Sequence, residues 1–205
     1  MIKDKEVILA SNNPGKAREI NALLEDLSIN VIPQSRFDVE EAEETGLTFV
    51  ENALIKARNA TAHTNHPAIA DDSGIEVPAL DGKPGIYSAR YAGVGASDED
   101  NLQLLIEAVK QSGLEQPAAR YQCVIVFMQH GTDATPMIAH GTWHGYLVTE
   151  PRGSNGFGYD PIFFVPTHGC TSAELEPAEK NRISHRGQAM QDLLLKLAAL
   201  KGAGY

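Results

Sequence analysis

The sequence predicts an α/β protein, and three observations carry the prediction. Near its start a buried-strand run, Glu6–Ala10, passes through a polar loop straight into an amphipathic helix. Further on, helical stretches with cap signatures alternate with short apolar runs containing β-branched residues. Two long strand-like stretches, Arg120–Met128 and Met137–Val148, are joined by a turn-rich segment, which fits an antiparallel hairpin. The chain has 205 residues and is 42% apolar, which suits one domain or two closely packed lobes with a sizeable core.

In the first strand–loop–helix unit, the loop is Ser11-Asn12-Asn13-Pro14-Gly15-Lys16, and the helix carries Ala17, Ile20, Leu23, Leu24 and Leu27 on its apolar side. Pro14 suits the first helical turn and Asn13 is a candidate cap. Backbone N–H groups at such a helix start favour anions, and Lys16 adds a point charge, so the loop reads either as a phosphate site or as an ordinary capped turn. The Gly-x4-Gly-Lys-Ser/Thr pattern of a Walker loop is absent.

Asn30–Pro33 reads as a second strand, followed by an acidic segment with Asp38, Glu40, Glu41, Glu43 and Glu44, for the most part a solvated loop. Thr48 and Glu51 form a capping-box pattern, with Leu47 placed for a hydrophobic staple. The spacing predicts a helix over Phe49–His63, with Ala53, Ala57 and Ala60 as a close-packing stripe and Asn52 and Lys56 one turn apart on one face. These two are surface polar residues or neighbours of the pocket that holds Asp72.

Next comes Ala68-Ile69-Ala70-Asp71-Asp72-Ser73-Gly74-Ile75-Glu76-Val77. The flanking apolar pieces are strand-like, and successive strand side chains point to opposite faces, so Asp71 and Asp72 cannot both face one core. A carboxylate in a buried strand is costly unless it is paired or metal-bound. Ser73-Gly74 is expected to interrupt the strand. The stretch therefore reads either as a hard-cation site at a strand end, one Asp serving as ligand or base, or as a solvated turn between hairpin strands.

Leu80–Gly93 is rich in turn signals, and Ser97 caps a helix with an acidic first turn, a stripe of Leu102, Leu105, Ile106 and Val109, and an end near Gly113. In the hairpin, His140 and His144 lie four apart on a strand rather than at helical metal spacing, with no third ligand nearby, which disfavours zinc. Gly153–Phe164 places three glycines around two aromatics. It reads either as a ligand loop, with Phe157 or Tyr159 as stacking surface and Asp160 accepting hydrogen bonds from a base or sugar, or as a hairpin with core aromatics. Thr171–Glu174 is a further cap signature. Ser184 is expected to cap a last helix with Met190, Leu193, Leu194 and Leu197 as its stripe. His185 and Arg186 then sit in its first turn, where cations oppose the helix dipole, which hints at a polar or anionic ligand nearby.

Composition narrows the classes. A net charge of −10 argues against broad nucleic-acid binding. No run of about 18 apolar residues is present to cross a membrane, and the charged start, Met1–Glu6, lacks a signal-peptide pattern. Two well-separated cysteines, Cys123 in an apolar run and Cys170, fit a reducing cytoplasm.

Taken together and in order, Ser11–Lys16, Glu43-Glu44-Thr45-Gly46-Leu47-Thr48-Phe49, Glu51–Ala57, Ala70–Gly74, Pro84–Arg90, Gly156–Pro161 and Ser184–Gly187 resemble the inosine/xanthosine triphosphate pyrophosphatases. The likeness runs from about Val7 to Leu197. The first loop opens Ser-Asn where many relatives have Thr-Gly, a departure that keeps the hydroxyl.

The resemblance implies a mixed, elongated sheet flanked by helices, with two lobes around an active-site cleft, residues 1–205 forming a single nucleotide pyrophosphatase domain. It implies a homodimer that hydrolyses non-standard purine nucleoside triphosphates to the monophosphate and pyrophosphate with Mg2+; the expectations of a cytoplasmic location and of neither nucleic acid nor membrane as partner rest on the composition. Carried onto matching positions, Ser11, Asn12, Asn13, Pro14, Gly15 and Lys16 hold the triphosphate, Glu43 and Asp72 ligate Mg2+, Asp72 is the general base, Lys56 adds catalytic charge and Ser73 touches substrate. Phe157, Gly158, Tyr159, Asp160, Lys180, His185 and Arg186 bind the base and its surroundings. Glu44 competes with Glu43 as ligand, and the role of Asp71 is left open. Other readings are a pyrophosphatase of different base preference, a nucleotide sensor without turnover, and an Asp-nucleophile phosphatase that would release orthophosphate.

Overall fold

Strand β1, Glu6–Leu9, leads through residues 10–13 into helix α1, Pro14–Leu24, as the apolar run and the proline dictate. The computed structural model describes residues 6–24 and 30–202. Leu27 and the charged start Met1–Lys5 lie outside the described residues, as do the side chains of Leu23 and Leu24. The remaining elements are β2 (Asn30–Pro33), α2 (Phe49–Thr64), β3 (Ala68–Glu76), α3 (Asp98–Ser112), β4 (Ala118–Met128), β5 (Met137–Leu147), β6 (Phe163–Val165), β7 (Cys170–Thr171), α4 (Pro177–Ile183) and α5 (His185–Gly202). Among the described residues the strands form one sheet in the order β2-β1-β3-β4-β5-β6-β7. The sheet is mixed: β1 runs parallel to β2 and β3, whereas β6 runs antiparallel to β5 and β7.

The chain divides into two compact units, one containing residues up to Asp72, Cys123–Gly141 and Arg186 onward, the other Ser73–Gln122 and Thr142–His185. In the first unit, strand alternation sorts the apolar side chains onto two faces. Val7, Leu9, Ile69, Cys123, Ile125 and Phe127 pack with Ile20 of α1 and Met190, Leu193 and Leu197 of α5. Ile8, Ala10, Ala68, Ala70, Val124, Val126 and Met128 pack with Ala53, Ala57 and Ala60 of α2, whose short side chains bring the helix close to the sheet. Burial in this core pushes the Cys123 thiol up to about 12, which makes it an inert packing group. In the second unit, Leu102, Leu105, Ile106 and Val109 of α3 pack with Ile75, Tyr121, Trp143, Tyr159 and Phe163.

Most expected boundaries are met within a residue or two. Ser97 caps α3 in a full capping box and Gly113 ends it in the left-handed region. Three local expectations change. Residues Ser73-Gly74 do not interrupt the strand: β3 runs unbroken from Ala68 to Glu76, because cations on the two faces offset its two carboxylates and the strand need not open to water. Leu47 forms no staple; it is 81% exposed. Glu51 closes only part of the box at α2, accepting from the Leu47 N–H (2.9 Å) and the Thr48 hydroxyl (2.8 Å), while Thr48 accepts from the Glu51 N–H at 3.3 Å. Among the described residues no helix is long and apolar enough to cross a membrane.

Candidate active site

In the first unit the site is built on β3 and the helices packed on its two sides. Asp71 follows Ile69 onto the side of α1 and α5, where Lys16 Nζ lies 3.1 Å and Arg186 Nη2 3.3 Å from its Oδ2. Arg186 in turn pairs with Glu19, one helical turn beyond Lys16 on α1. Asp72 follows Ala70 onto the α2 side. Lys56 Nζ donates to its Oδ1 at 2.9 Å and Asn52 Nδ2 to its Oδ2 at 3.4 Å.

Lys56 also donates to Glu44 Oε1 at 2.8 Å, so one ammonium holds two carboxylates. The Asn52 side chain is fixed at both ends, since its Oδ1 accepts from the Gly46 N–H at 2.8 Å. A Cβ on Gly46 would sit 2.7 Å from that oxygen, which is why only glycine fits there. Glu43 is exposed, and Glu44 rather than Glu43 shares a cation with Asp72.

The two aspartates are pulled in opposite directions. Burial works against the Asp71 carboxylate, but Lys16, Arg186 and Lys56 outweigh it and hold the group well below the usual range. At Asp72 burial dominates and pushes the carboxyl up, only partly offset by Lys56 and Lys16 and reinforced by Glu44. Burial also disfavours the Lys56 ammonium, yet Asp72, Asp71 and Glu44 together raise it above an ordinary lysine. Asp71 is thus held as an anion, while Asp72 keeps more of its affinity for a proton.

The loop before α1 is capped as expected. Asn13 Oδ1 accepts from the N–H groups of Gly15 (2.9 Å) and Lys16 (3.0 Å), and Ser11 Oγ from the Asn13 N–H at 3.2 Å. Asn12 and Asn13 are exposed and Ser11 is half-buried.

In the second unit, Ser73 continues β3 half-buried. Asp160 is buried, with its oxygens engaged by Lys180 Nζ (2.6 Å), the Phe157 N–H (2.9 Å) and the Ser172 hydroxyl (2.9 Å). This carboxylate is tied into the loop through both of its oxygens. Lys180 Nζ lies 5.1 Å from the centre of the Phe157 ring, in cation–π range. Of the two candidate stacking rings, Tyr159 belongs to the core and donates its hydroxyl to the Ser88 carbonyl at 2.7 Å, whereas Phe157 is only half-buried. Gly158 gives its N–H to Asp98 at 3.2 Å. A cavity of about 290 Å³ borders this loop, lined by Asp98, Glu99, Leu102, Asn155 and Phe157 among others. His185 is stacked on Tyr121 (4.5 Å between centroids, 7° between planes) and faces Trp143 at 6.3 Å.

Glu19, Tyr121 and Ser172 are the supporting residues that sequence reading missed. Only Glu19 left a signal, its position one turn from Lys16. Among the described residues no group of three or more His, Cys, Asp or Glu is set to hold a metal, and the exposed His140 and His144 form no such group. The available donors are the carboxylates around Lys56. Such a set fits a hard cation that keeps waters and takes its other oxygens from a phosphate, and does not fit an all-protein cage.

The fold and site define a mixed α/β protein in which the adjacent carboxylates of β3 are held by cations on opposite faces, Lys16 of α1 on one and Lys56 of α2 on the other. The chain belongs to the Ham1 family, whose model matches residues 7–196. It is 54% identical over 195 residues to a dITP/XTP pyrophosphatase of Vibrio parahaemolyticus, covering 95% of this chain and 98% of that one. To the enzyme of the same name from Vibrio cholerae it is 56% identical over 189 residues, covering 92% and 94%. Among solved structures, a HAM1 protein from Coxiella burnetii superposes with a TM-score of 0.88 at 51% identity, covering 95% of this chain and 99% of that one. The Staphylococcus aureus Ham1 protein does so with 0.81 at 42%, covering 97% and 100%.

Proposed function

We propose that this protein hydrolyses the non-standard purine nucleoside triphosphates ITP, dITP and XTP to the monophosphate and pyrophosphate, cleansing the nucleotide pool. The observation that carries this reading is Asp72: a buried carboxylate with raised proton affinity, oriented by Lys56 on one oxygen and Asn52 on the other. The names of relatives more than half identical over nearly the whole chain support the same reading. Asp72 takes the proton from the water that attacks the α-phosphorus, the α–β bridging bond breaks, and pyrophosphate leaves. Residues 11–16 hold the triphosphate, with Lys16 and Lys56 offsetting the charge that builds on the departing oxygens.

The metal is Mg2+, with Asp72 and an acidic-loop glutamate, Glu43 or its neighbour Glu44, as the residues that would hold it. When bound, it supplies Lewis-acid stabilisation of the phosphoryl oxygens. Ser73 contacts substrate. The base stacks on Phe157, whose loop Gly158, Tyr159, Asp160 and Lys180 maintain. His185 offers a donor to the 6-oxo group that distinguishes hypoxanthine and xanthine from adenine. Arg186 serves the site through Asp71. The whole chain acts as one functional domain, a cytoplasmic homodimer with neither nucleic acid nor membrane as partner, in keeping with its net charge of −10.

The test is a product assay with ITP, dITP, XTP, GTP and ATP, with and without Mg2+, reading pyrophosphate and orthophosphate separately. Pyrophosphate from the first three only, and only with metal, is the expected result. Orthophosphate would point to a phosphatase, and binding without turnover to a sensor.

A further inference from the structure

Among the described residues, Lys56 is the cation whose ammonium contacts both Asp72 and an acidic-loop glutamate, at 2.9 and 2.8 Å. Those are the groups a divalent cation would need. We propose that Lys56 is a built-in counter-ion that holds these carboxylates in the nucleotide-free protein, must leave Asp72 before metal binds there, and thereby makes metal and nucleotide enter together. The inference rests on the reading of Asp72 as a metal ligand.

Three physical points support it. Two carboxylates and one ammonium carry a net charge of −1; a dication added without release of the ammonium would bring like charges within a few ångströms of each other. Lysine reaches its partners on a flexible four-carbon stem, and the Lys56 side chain is 15% exposed, so it has a route away from the pair. Its alternative partner is the triphosphate itself, which the loop with Lys16 serves from the other side of β3. A phosphate that accepts Lys56 frees Asp72 for metal, and by linkage bound metal frees Lys56 for phosphate. Free enzyme in which only a small fraction of molecules have Lys56 displaced has an apparent metal affinity reduced by that fraction.

The experiment is an Mn2+ titration of the nucleotide-free protein, read by the electron paramagnetic resonance of the free ion. It compares wild type, Lys56→Met, Lys16→Met and Asp72→Asn. Lys56→Met should bind Mn2+ at least about tenfold more tightly than wild type, the gain expected when a competent fraction of about one tenth becomes complete. Lys16→Met, which removes a nearby charge that holds Asp71 instead, should gain much less. A Lys56→Met affinity equal to wild type, or a gain no larger than that of Lys16→Met, overturns the proposal.

Asp72→Asn separates the two levels. Mn2+ binding lost in Asp72→Asn but unchanged in Lys56→Met leaves Asp72 as a ligand and removes the competition. Undiminished binding in Asp72→Asn removes both. A second measurement needs no variant: the acetylation rate of Lys56 in wild type, followed by mass spectrometry, should rise several-fold when Mg2+ displaces it, and an unchanged rate counts against the proposal as firmly.

Discussion

Asp71 and Asp72 are neighbours in sequence yet serve opposite faces of β3, Asp71 meeting Lys16 and Arg186 and Asp72 meeting Lys56 and Asn52. Strand geometry alone enforces the split, since successive side chains alternate. The split then divides the chemistry. The residue held by Lys16 and Arg186, with the charge of Lys56 adding to theirs, is a poor base near neutrality, because its carboxylate is strongly stabilised against taking a proton. The residue with fewer compensating charges, and a glutamate nearby, keeps that capacity.

Asp72→Asn tests the base directly. The amide keeps the shape of the carboxylate but accepts no proton from water, so pyrophosphate release from ITP should fall by at least about 10²–10⁴-fold, the usual share of a general base. Thermal unfolding should change little, because burial already disfavours the charge that the substitution removes. Turnover within a few-fold of wild type would exclude Asp72 as the base.

The raised Asp72 group also sets a pH dependence. Activity needs the carboxylate, so kcat/KM should fall on the acid side as Asp72 takes up a proton, and a bound dication on the same group would move that fall to lower pH. Turnover that does not fall at all on the acid side would contradict the assignment. Its effect on stability has the opposite sense. A carboxyl raised in the folded state contributes stability below its unfolded pKa, and that contribution is lost as pH rises through the folded value.

Asp71 reverses both signs. Its carboxylate is held below the unfolded value, so its contribution to stability is present above about pH 3.9 and is lost as pH falls toward the folded pKa. Asp71→Asn leaves buried Arg186 and Lys16 short of an anion and should cost about 3–5 kcal/mol, as breaking a buried pair does. Urea unfolding from pH 3 to 7 is the measurement. The variant should be less stable at neutrality and show a flatter acid dependence. Wild-type stability at pH 7 would mean that this network carries none of the fold.

The order of elements, the alternation that separates Asp71 from Asp72, and the caps at Ser97 and Asn13 were legible because each depends on a few neighbouring residues. The unbroken course of β3 was not. Ser73-Gly74 reads locally as a break, and only Lys16, Lys56 and Arg186, distant in sequence, make the charged strand tolerable. Asp160 likewise reads as a free acceptor until Ser172 and Lys180 are brought to it by later segments. Local patterns locate the charged residues; which charge compensates which is a property of the folded chain.

The Asp160 cluster gives the last prediction. Gly156 has φ of +78°, and a Cβ there would overlap the Asp160 carboxylate and come within 3.2 Å of Lys180 Nζ. Alanine at this position is strained twice, by its backbone and by that collision. The carboxylate would have to move, loosening Lys180 from above the Phe157 ring and the Phe157 N–H from its acceptor. Asp72, Lys56 and Asn52 make their contacts elsewhere, within the other unit. Gly156→Ala should therefore raise KM for ITP by about tenfold, the cost of roughly one strong hydrogen bond to a charged group, with a smaller change in kcat. Ser172→Ala, which removes a single hydroxyl from Asp160, should do the same more mildly. Steady-state kinetics with ITP settle the point: if kcat collapses in both variants while KM holds, the loop supports the chemical step and not the base.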